Sequence, residues 1–440
     1  MDTPVDTAAD ESPSPAPRQH RRPRQRLFVI FNLVLAVATI ASGSGLLWAN
    51  WKLGTRQVVA IDVPLRDGTV DLPEGDLSAK NYLITGSDNN TCIDPDSPYA
   101  GGFGDRTSFG ERSDSIMVIR VEPRTETAAV LSFPRDLWVT QAGSTRKNRI
   151  NANFNKKDPN RLIRTIGLNF GIPIDHYVNI DFCTFKDVVD AVGGVRVPFK
   201  FKARDKRTGF QVLRARVCAT LAGDHALAYI RSRRYEFYDP AVGRWTRDGT
   251  SDWGRISRQQ DFIKRMTKKA LDKARTNPKV ASDIMNAALD NVITDNRITP
   301  IMMLQLAQAM KNYDAETMGS YTMPGTGQLI DEMAVIVPEL ESETAKKIIA
   351  LFQGKASLSK SAGDASADAA LDISTVSDLG AALEVVTLAA RPGLATESVA
   401  AAAVASPPTT VPVTTTTLPA VVIEQNPRGI VPENNPACPY

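Results

Sequence analysis

The stretch from Leu27 to Ala49 carries no charged residue over 23 positions, and immediately before it stand Arg18, Arg21, Arg22, Arg24 and Arg26. As a helix it would run roughly 34 Å, enough to cross a hydrocarbon core of about 30 Å. A basic flank stays on the cytoplasmic side, so everything after Trp51 is expected outside. A cleaved signal peptide shares the basic leader, but its apolar region runs only about 7 to 15 residues, so the length favours an anchor. The expectation is a single-pass cell-membrane protein, N-terminus cytoplasmic, with an extracytoplasmic body.

That body can hold one large core: the chain has 440 residues, 42% of them hydrophobic and 23% charged. The net charge of +3 is too small to imply nucleic acid, so basic function has to come from local clustering. Cys92, Cys183, Cys218 and Cys438 form no C-x-x-C pair, which argues against a thiolate zinc site. An oxidising compartment would permit two disulfides, with three connectivities open. Residues 1–26 read as a disordered cytoplasmic tail, 27–49 as the transmembrane helix, 50–79 as a stalk and 80–354 as the folded domain. Residues 355–440 are Ala- and Ser-rich, then Pro- and Thr-rich from Pro407 to Pro419, and read as a low-complexity tail whose short terminal piece with Cys438 is tied back.

Within the domain, Asn81–Thr85 reads as a strand stopping at Gly86-Ser87-Asp88, which puts an aspartate at a strand end. Ser115–Val121 and Ala128–Phe133 read as a hairpin turning near Pro123. Its outer ends, Arg112-Ser113-Asp114 and Pro134-Arg135-Asp136, are thereby expected together. Helices are predicted over Arg161–Phe170, over Thr184–Val192 up to the Gly193-Gly194 stop, from an Asp224 N-cap towards Arg233, from about Arg255 past Met266, and over Ile293–Tyr313. The irregular alternation predicts an α/β fold, a mixed sheet with helices on its faces.

Common catalytic signatures are absent: there is no G-x-x-x-x-G-K-[ST], H-E-x-x-H or G-x-S-x-G. Only His20, His176 and His225 exist, so a multi-histidine metal site is excluded, and His176 is assigned a structural role. What remains is arginine: between Arg231 and Arg258 there are seven against four acidic residues. Arg255, Arg258, Gln259 and Phe262 share one helix face. A permanently charged planar fork of donors matches phosphate oxygens bidentately, so the implied ligand is a phosphate. Aspartates at strand ends, Asp88 and Asp114, would then hold Mg²⁺, or Mn²⁺, together with phosphate oxygens.

Seven segments in order resemble the LytR-CpsA-Psr family: NYLITGSD (Asn81–Asp88), RSDSIMVIR (Arg112–Arg120), LSFPRD (Leu131–Asp136), GIPIDHYVNID (Gly171–Asp181), FKDVVDAVGGV (Phe185–Val195), ALAYIRSR (Ala226–Arg233) and DWGRISRQQ (Asp252–Gln260). The resemblance covers roughly Asn81 to Phe352. It implies a largely antiparallel mixed sheet with flanking helices around a hydrophobic lipid pocket, and a phosphotransferase that moves a glycan polymer from a polyprenyl pyrophosphate carrier onto a peptidoglycan sugar hydroxyl. A pyrophosphate phosphatase and a non-catalytic wall-binding or regulatory module are the rival readings. Carried over residue by residue, Asp88 and Asp114 are the implied metal ligands, and Arg112, Arg135, Arg231, Arg233, Arg255 and Gln259 the implied pyrophosphate clamp, with Arg258 a lesser member. Arg233, Arg255 and Asp252 are the catalytic candidates; Asp252 would take the acceptor's proton or position Arg255, and Asp136 would brace Arg135.

Two insertions depart from the family pattern. Asn89–Glu111 and Arg234–Ser251, the latter with Tyr235, Phe237, Tyr238 and Trp245, are expected to shape the groove for the acceptor or polymer, aromatics being suited to stacking on sugars. A Cys183–Cys218 bridge would close the subdomain between the Gly193-Gly194 stop and the Asp224 helix, and a second bridge is expected between Cys92 and Cys438.

Overall fold

The computed structural model describes residues 57–61, 77–88, 92–100, 113–277, 292–299, 309–358, 420–421 and 423–433, with isolated residues at 279, 283–284, 302, 305–306, 435 and 438. The expected tail, the Leu27–Ala49 anchor, Arg112 and the tail over 359–419 lie outside the described residues. Among the described residues no helix is long and apolar enough to cross a membrane. All described residues belong to one unit, Arg56–Tyr440.

In chain order the strands are β1 (Gln57–Val59), β2 (Lys80–Ser87), β3 (Ser113–Glu122), β4 (Thr127–Phe133), β5 (Trp138–Thr140), β6 (Lys147–Arg149), β7 (His176–Asp181), β8 (Val195–Phe199), β9 (Ala203–Asp205), β10 (Phe210–Val212), β11 (Val217–Leu221), β12 (Glu236–Asp239), β13 (Arg244–Arg247), β14 (Ile293–Asp295), β15 (Gly319–Thr322), β16 (Gly325–Ile330), β17 (Met333–Pro338), β18 (Ser357–Leu358) and β19 (Ala420–Val421). The fully described helices are α1 (Asn160–Phe170), α2 (Phe182–Ala191), α3 (Gly223–Arg231), α4 (Asp252–Thr276) and α5 (Glu343–Phe352).

The central sheet has the order β1-β14-β7-β2-β3-β4-β15. It is mixed, as the sequence implied, but not largely antiparallel: β1–β14, β7–β2 and β15–β4 are parallel, and the other three pairings antiparallel. The parallel partners are far apart in sequence, and such pairs arise where intervening helical segments carry the chain back across the sheet. β1 lies within the segment expected to be a stalk. Ile293–Asp295, expected to open a helix, is instead β14, because the slot between β1 and β7 takes its β-branched Ile293 and Thr294. Asp295 then accepts from the Tyr177 amide at 2.9 Å and pairs with His176 Nδ1 at 3.1 Å, which gives that histidine its structural partner.

β2 and β3 are largely buried on both faces because both faces of the sheet are covered. Leu83, Ile116, Val118, Leu131 and Phe133 pack with Leu162 and Ile166 of α1 and with Ile348 and Leu351 of α5. α1 ends at Gly171, in the left-handed region at φ 62°, and Gln353 donates to the Phe170 carbonyl at 2.8 Å. On the other side stand α2, α3 and α4, with a second core of Val189, Val195, Phe199, Phe210, Leu221, Tyr229 and Phe262. The Asp181 side chain caps α2 by accepting from Thr184 N at 2.8 Å. Asp224 is not the N-cap expected for α3: it lies in the first turn and pairs with Lys186 at 3.1 Å, while Asp190 of α2 accepts from Gly223 N at 2.7 Å. Gln260 of α4 donates to Ser132 Oγ at 2.9 Å and Tyr321 O at 2.7 Å, fixing α4 to β4 and β15.

The disulfides are Cys92–Cys183 and Cys218–Cys438, which corrects the pairing expected from sequence. β2 and β7 run parallel with Ser87 opposite Asp181, so the chain leaving β2 passes the start of α2, where Cys183 sits. Cys218 is opposite Pro198 in the β8–β11 ribbon and meets the returning C-terminal segment. That segment is fastened noncovalently as well. β19 pairs with β18, and the Asn426 amide exchanges two 2.9 Å hydrogen bonds with the backbone of Thr322, covering the open edge at β15. Arg428 stacks over Trp253 at 4.0 Å, and Ile430 N donates to Asp248 Oδ2 at 3.2 Å. Cys438→Ser should lower stability by about 2 to 5 kcal/mol in urea unfolding and raise amide exchange over 423–433 while β3 and β4 stay protected. Unaltered exchange there would show that the noncovalent contacts suffice.

Candidate functional site

At the end of β2 the register slips: Gly86 faces Ser115 and Ser87 faces Ser113, so Asp114 is the extra residue of a bulge. A bulge turns its side chain off the regular alternation, and Asp114 here meets three arginines. The β3–β4 hairpin carries Arg135 alongside, with Nη1 at 2.8 Å from Asp114 Oδ1. Arg233, just past α3, puts Nη2 at 3.0 Å from Asp114 Oδ2. Arg255, in the first turn of α4, donates from Nη2 to the Asp114 carbonyl at 2.8 Å. Asp252 closes the network, its Oδ1 lying 3.1 Å from Arg233 Nε and 2.9 Å from Arg255 Nη2. Asp136 holds Arg135 Nε at 3.3 Å and Arg149 Nε at 3.4 Å.

Burial would push the Asp114 carboxyl up, but Arg233, Arg255 and Arg135 overcome it and hold its pKa far below the ordinary carboxylate range. Arg135 is raised, since Asp114 and Asp136 outweigh its burial. Arg233 is lowered: burial and the neighbouring Arg255 charge outweigh Asp114 and Asp252. Its cation is under-compensated, and an incoming anion would relieve that. The second oxygen of Asp252, Oδ2, is buried with no hydrogen-bond partner among the described residues, so it can still accept a proton or a hydrogen bond.

This network borders a cavity of about 870 Å³. Its apolar wall comes from both layers: Ile84, Met117, Ile119 and Ile180 on the sheet, and Phe182, Phe185, Phe262, Ile263 and Met266 on α2 and α4. Its polar end carries Asp88, Asp114, Arg231, Arg233, Arg255 and Gln259, so six of the residues singled out from sequence meet there. Arg231 lies over the Phe182 ring at 4.7 Å. Gln259 donates to Ser115 Oγ at 3.1 Å and Ile230 O at 3.0 Å, tying α4 to β3 and α3. Arg135 and Asp252 are one contact behind the lining.

Arg258 belongs elsewhere. It is buried, pairs with Asp248 at 2.9 Å, donates to Ser232 O at 2.9 Å and lies over Tyr235 at 4.5 Å, a brace between α4 and the turn after α3. Nor are the aromatics of Arg234–Ser251 a free platform: Tyr235 is 4% exposed, and Trp245 is covered by Arg204 at 4.0 Å. Asp205 and Arg207 also line the cavity and were not singled out, because the β9–β10 turn carries no signal that would point to its position.

A cation site fits in kind. Mg²⁺ takes one or two carboxylates with substrate phosphates and water, and Asp88 and Asp114 stand on adjacent strand ends facing one cavity. Among the described residues no three His, Cys, Asp or Glu side chains gather as an all-protein site, so the remaining ligands would have to come from substrate and solvent.

A model described as the LytR_cpsA_psr family matches residues 67–350. The polyisoprenyl-teichoic acid–peptidoglycan teichoic acid transferase TagV of Bacillus subtilis is 34% identical over 46% of this chain and 50% of its own length, so the chain spans about half of that relative. The TagU protein of the same description from Halalkalibacterium halodurans is 29% identical over 61% of this chain and 82% of its own. A LytR-Csp2A-Psr enzyme from Actinomyces oris shares the fold, with a TM-score of 0.50 at 21% identity over 68% of this chain and 97% of that one.

Asp114→Asn should cost about 1 to 3 kcal/mol of stability, below the buried-pair value because the carboxylate is 28% exposed. The folded-state pKa lies below the unfolded one, so this stabilisation is complete above the unfolded pKa and is lost as pH falls through the folded one. In urea titrations without divalent cations, the gap to wild type should stay constant from about pH 8 to pH 5 and shrink only below about pH 4. A gap that closes near neutral pH would contradict the arginine-held carboxylate.

Proposed function

The chain belongs to the LytR_cpsA_psr family, and we propose from this that it transfers a glycan polymer from a polyprenyl pyrophosphate carrier to a peptidoglycan hydroxyl. The observation that carries the reading is one cavity with an apolar wall between sheet and helices that ends in arginines and aspartates. A prenyl chain fits the first chemistry and a pyrophosphate the second. The names of the TagU and TagV relatives, polyisoprenyl-teichoic acid–peptidoglycan teichoic acid transferases, agree with the donor and acceptor classes.

In the proposed reaction the acceptor hydroxyl oxygen attacks the phosphorus next to the polymer. The bond from that phosphorus to the bridging oxygen breaks, polyprenyl phosphate leaves, and a phosphodiester joins polymer to wall. Arg233 and Arg255 face the pyrophosphate, with Arg231 and Gln259 beside them and Arg135 behind Asp114; they offset charge as it shifts to the leaving oxygen. Asp252 Oδ1 keeps Arg233 and Arg255 in place, and its unpartnered Oδ2, one contact behind the lining, takes the hydroxyl proton by way of one intervening water. Asp88 and Asp114 would hold a Mg²⁺ ion, whose chemistry is to neutralise phosphate oxygens.

We further propose that Leu27–Ala49 anchors the protein with the domain on the outer side of the cell membrane. Two disulfides using all four cysteines suit an oxidising compartment and support that side. With a labelled polyprenyl-pyrophosphate glycan donor and peptidoglycan, the full chain should form a Mg²⁺-dependent phosphodiester product. Arg233→Ala should slow it by about 10³ to 10⁵ fold, the range seen for arginines that stabilise phosphoryl transfer. Near-normal turnover of this variant, or release of glycan phosphate to water without any wall-linked product, would overturn the reading.

A further inference from the structure

The charge along the cavity is unevenly distributed. Six arginines and four aspartates line it. Arg231, Arg233 and Arg255 are matched in number by Asp88, Asp114 and Asp181, whereas Arg207, Arg234 and Arg247 have only Asp205 among them. The formal excess of two positive charges therefore sits wholly in the second group. It is also the outer group: Arg207, Arg234 and Arg247 are exposed, Arg231 and Arg233 are half-buried, and Arg255 is 2% exposed.

Asp205 is not a counter-ion for these guanidinium groups. It is 1% exposed, and its oxygens are used on backbone and hydroxyl donors: Oδ1 accepts from Arg207 N at 2.8 Å, and Oδ2 from Arg234 N at 2.8 Å and Ser232 Oγ at 2.7 Å. One buried carboxylate thus pins the peptides that carry two arginines, from the β9–β10 turn and from the chain after α3. Arg247 is brought up by the β12–β13 pairing, where it stands opposite Glu236, and Glu236 is bound by Arg204 at 2.7 Å. Among the described residues none of the three outer guanidinium groups has a carboxylate partner. Three like charges on one rim repel one another, and an anion from outside the chain would relieve that repulsion.

We propose that Arg207, Arg234 and Arg247, organised by Asp205, form a second anion subsite that binds a charged group of the donor glycan, a phosphodiester or a carboxylate, lying outward of the pyrophosphate. The proposal rests on the donor reading above and narrows it to polymers that carry negative charge close to the carrier. A neutral glycan leaves the outer cations unsatisfied. A charged one makes fork-type hydrogen bonds there, each worth about a tenfold gain in affinity.

The test uses the full chain in detergent and two short-chain prenyl pyrophosphate disaccharides that differ only by a glycerol phosphate on the outer sugar, with affinities measured by calorimetry. Wild type should bind the phosphate-bearing compound at least about tenfold more tightly, and the margin should fall as salt rises. Arg207→Gln combined with Arg247→Gln should remove the margin; both side chains are exposed, so the variant is expected to fold. Equal affinity of wild type for the two compounds overturns the proposal alone. So does an equal loss on both compounds in the double variant, which would assign these arginines to the pyrophosphate. So too does a preserved margin with weakened binding to phosphatidylcholine–phosphatidylglycerol vesicles, which would assign them to the membrane surface. Wild type that binds neither prenyl compound overturns the donor reading itself.

Discussion

One carboxylate organises the polar end of the cavity. Asp114 is bound through both of its oxygens and its own carbonyl by Arg135, Arg233 and Arg255, which come from the β3–β4 hairpin, the end of α3 and the start of α4. Like charges from three elements would repel without it. Its location on a β-bulge is what allows this, because the regular pleat would send the side chain to a face of the sheet rather than to its end. The same grouping keeps Asp114 ionised, while burial and the Arg255 charge disfavour the Arg233 cation, so the site is already shaped for an anion.

The cavity beside this network follows from how the sheet is covered. One face is closed by α1 and α5, whose leucines and isoleucines fill the space against β2, β3 and β4. Over the other face, α4 packs through Phe262 and Met266 against the second core and is fixed by polar contacts as well. Gln260 fixes it to β4 and β15, Arg258 to the turn after α3, and Lys269 donates to the Gly193 carbonyl at 2.9 Å. Between these fixings, Phe262, Ile263 and Met266 border open volume. An apolar cavity of this size forgoes packing energy, which polar anchors of this kind offset elsewhere along the helix.

The C-terminal segment supports the same helix from outside. Arg428 N donates to Ser257 Oγ at 2.8 Å, and Ile430 joins the Asp248–Arg258 pair, so residues 171 and 182 positions later in the chain stabilise the turn that carries Asp252 and Arg255. The Cys218–Cys438 bridge ties this strap to the β8–β11 ribbon.

Much of the polar site was legible because it is built locally: the β3–β4 hairpin sets Asp114 beside Arg135, and helical spacing sets Arg255 and Gln259 on one face of α4. Helical periodicity likewise revealed α1 and α2, since a buried stripe repeats every three or four residues. It misled at Ile293–Asp295, where a three-residue strand is too short to show its own period, and at Arg258, whose face shifts from the cavity towards Asp248 within one turn. The disulfide pairing, the strap over β15, and the placing of Asp205 and Arg207 at the cavity depend on register between segments far apart in the chain. Local chemistry is written residue by residue and so is determined by sequence alone. Which distant segments meet is decided only when the whole sheet closes, because that choice depends on the free energy of all the pairings together.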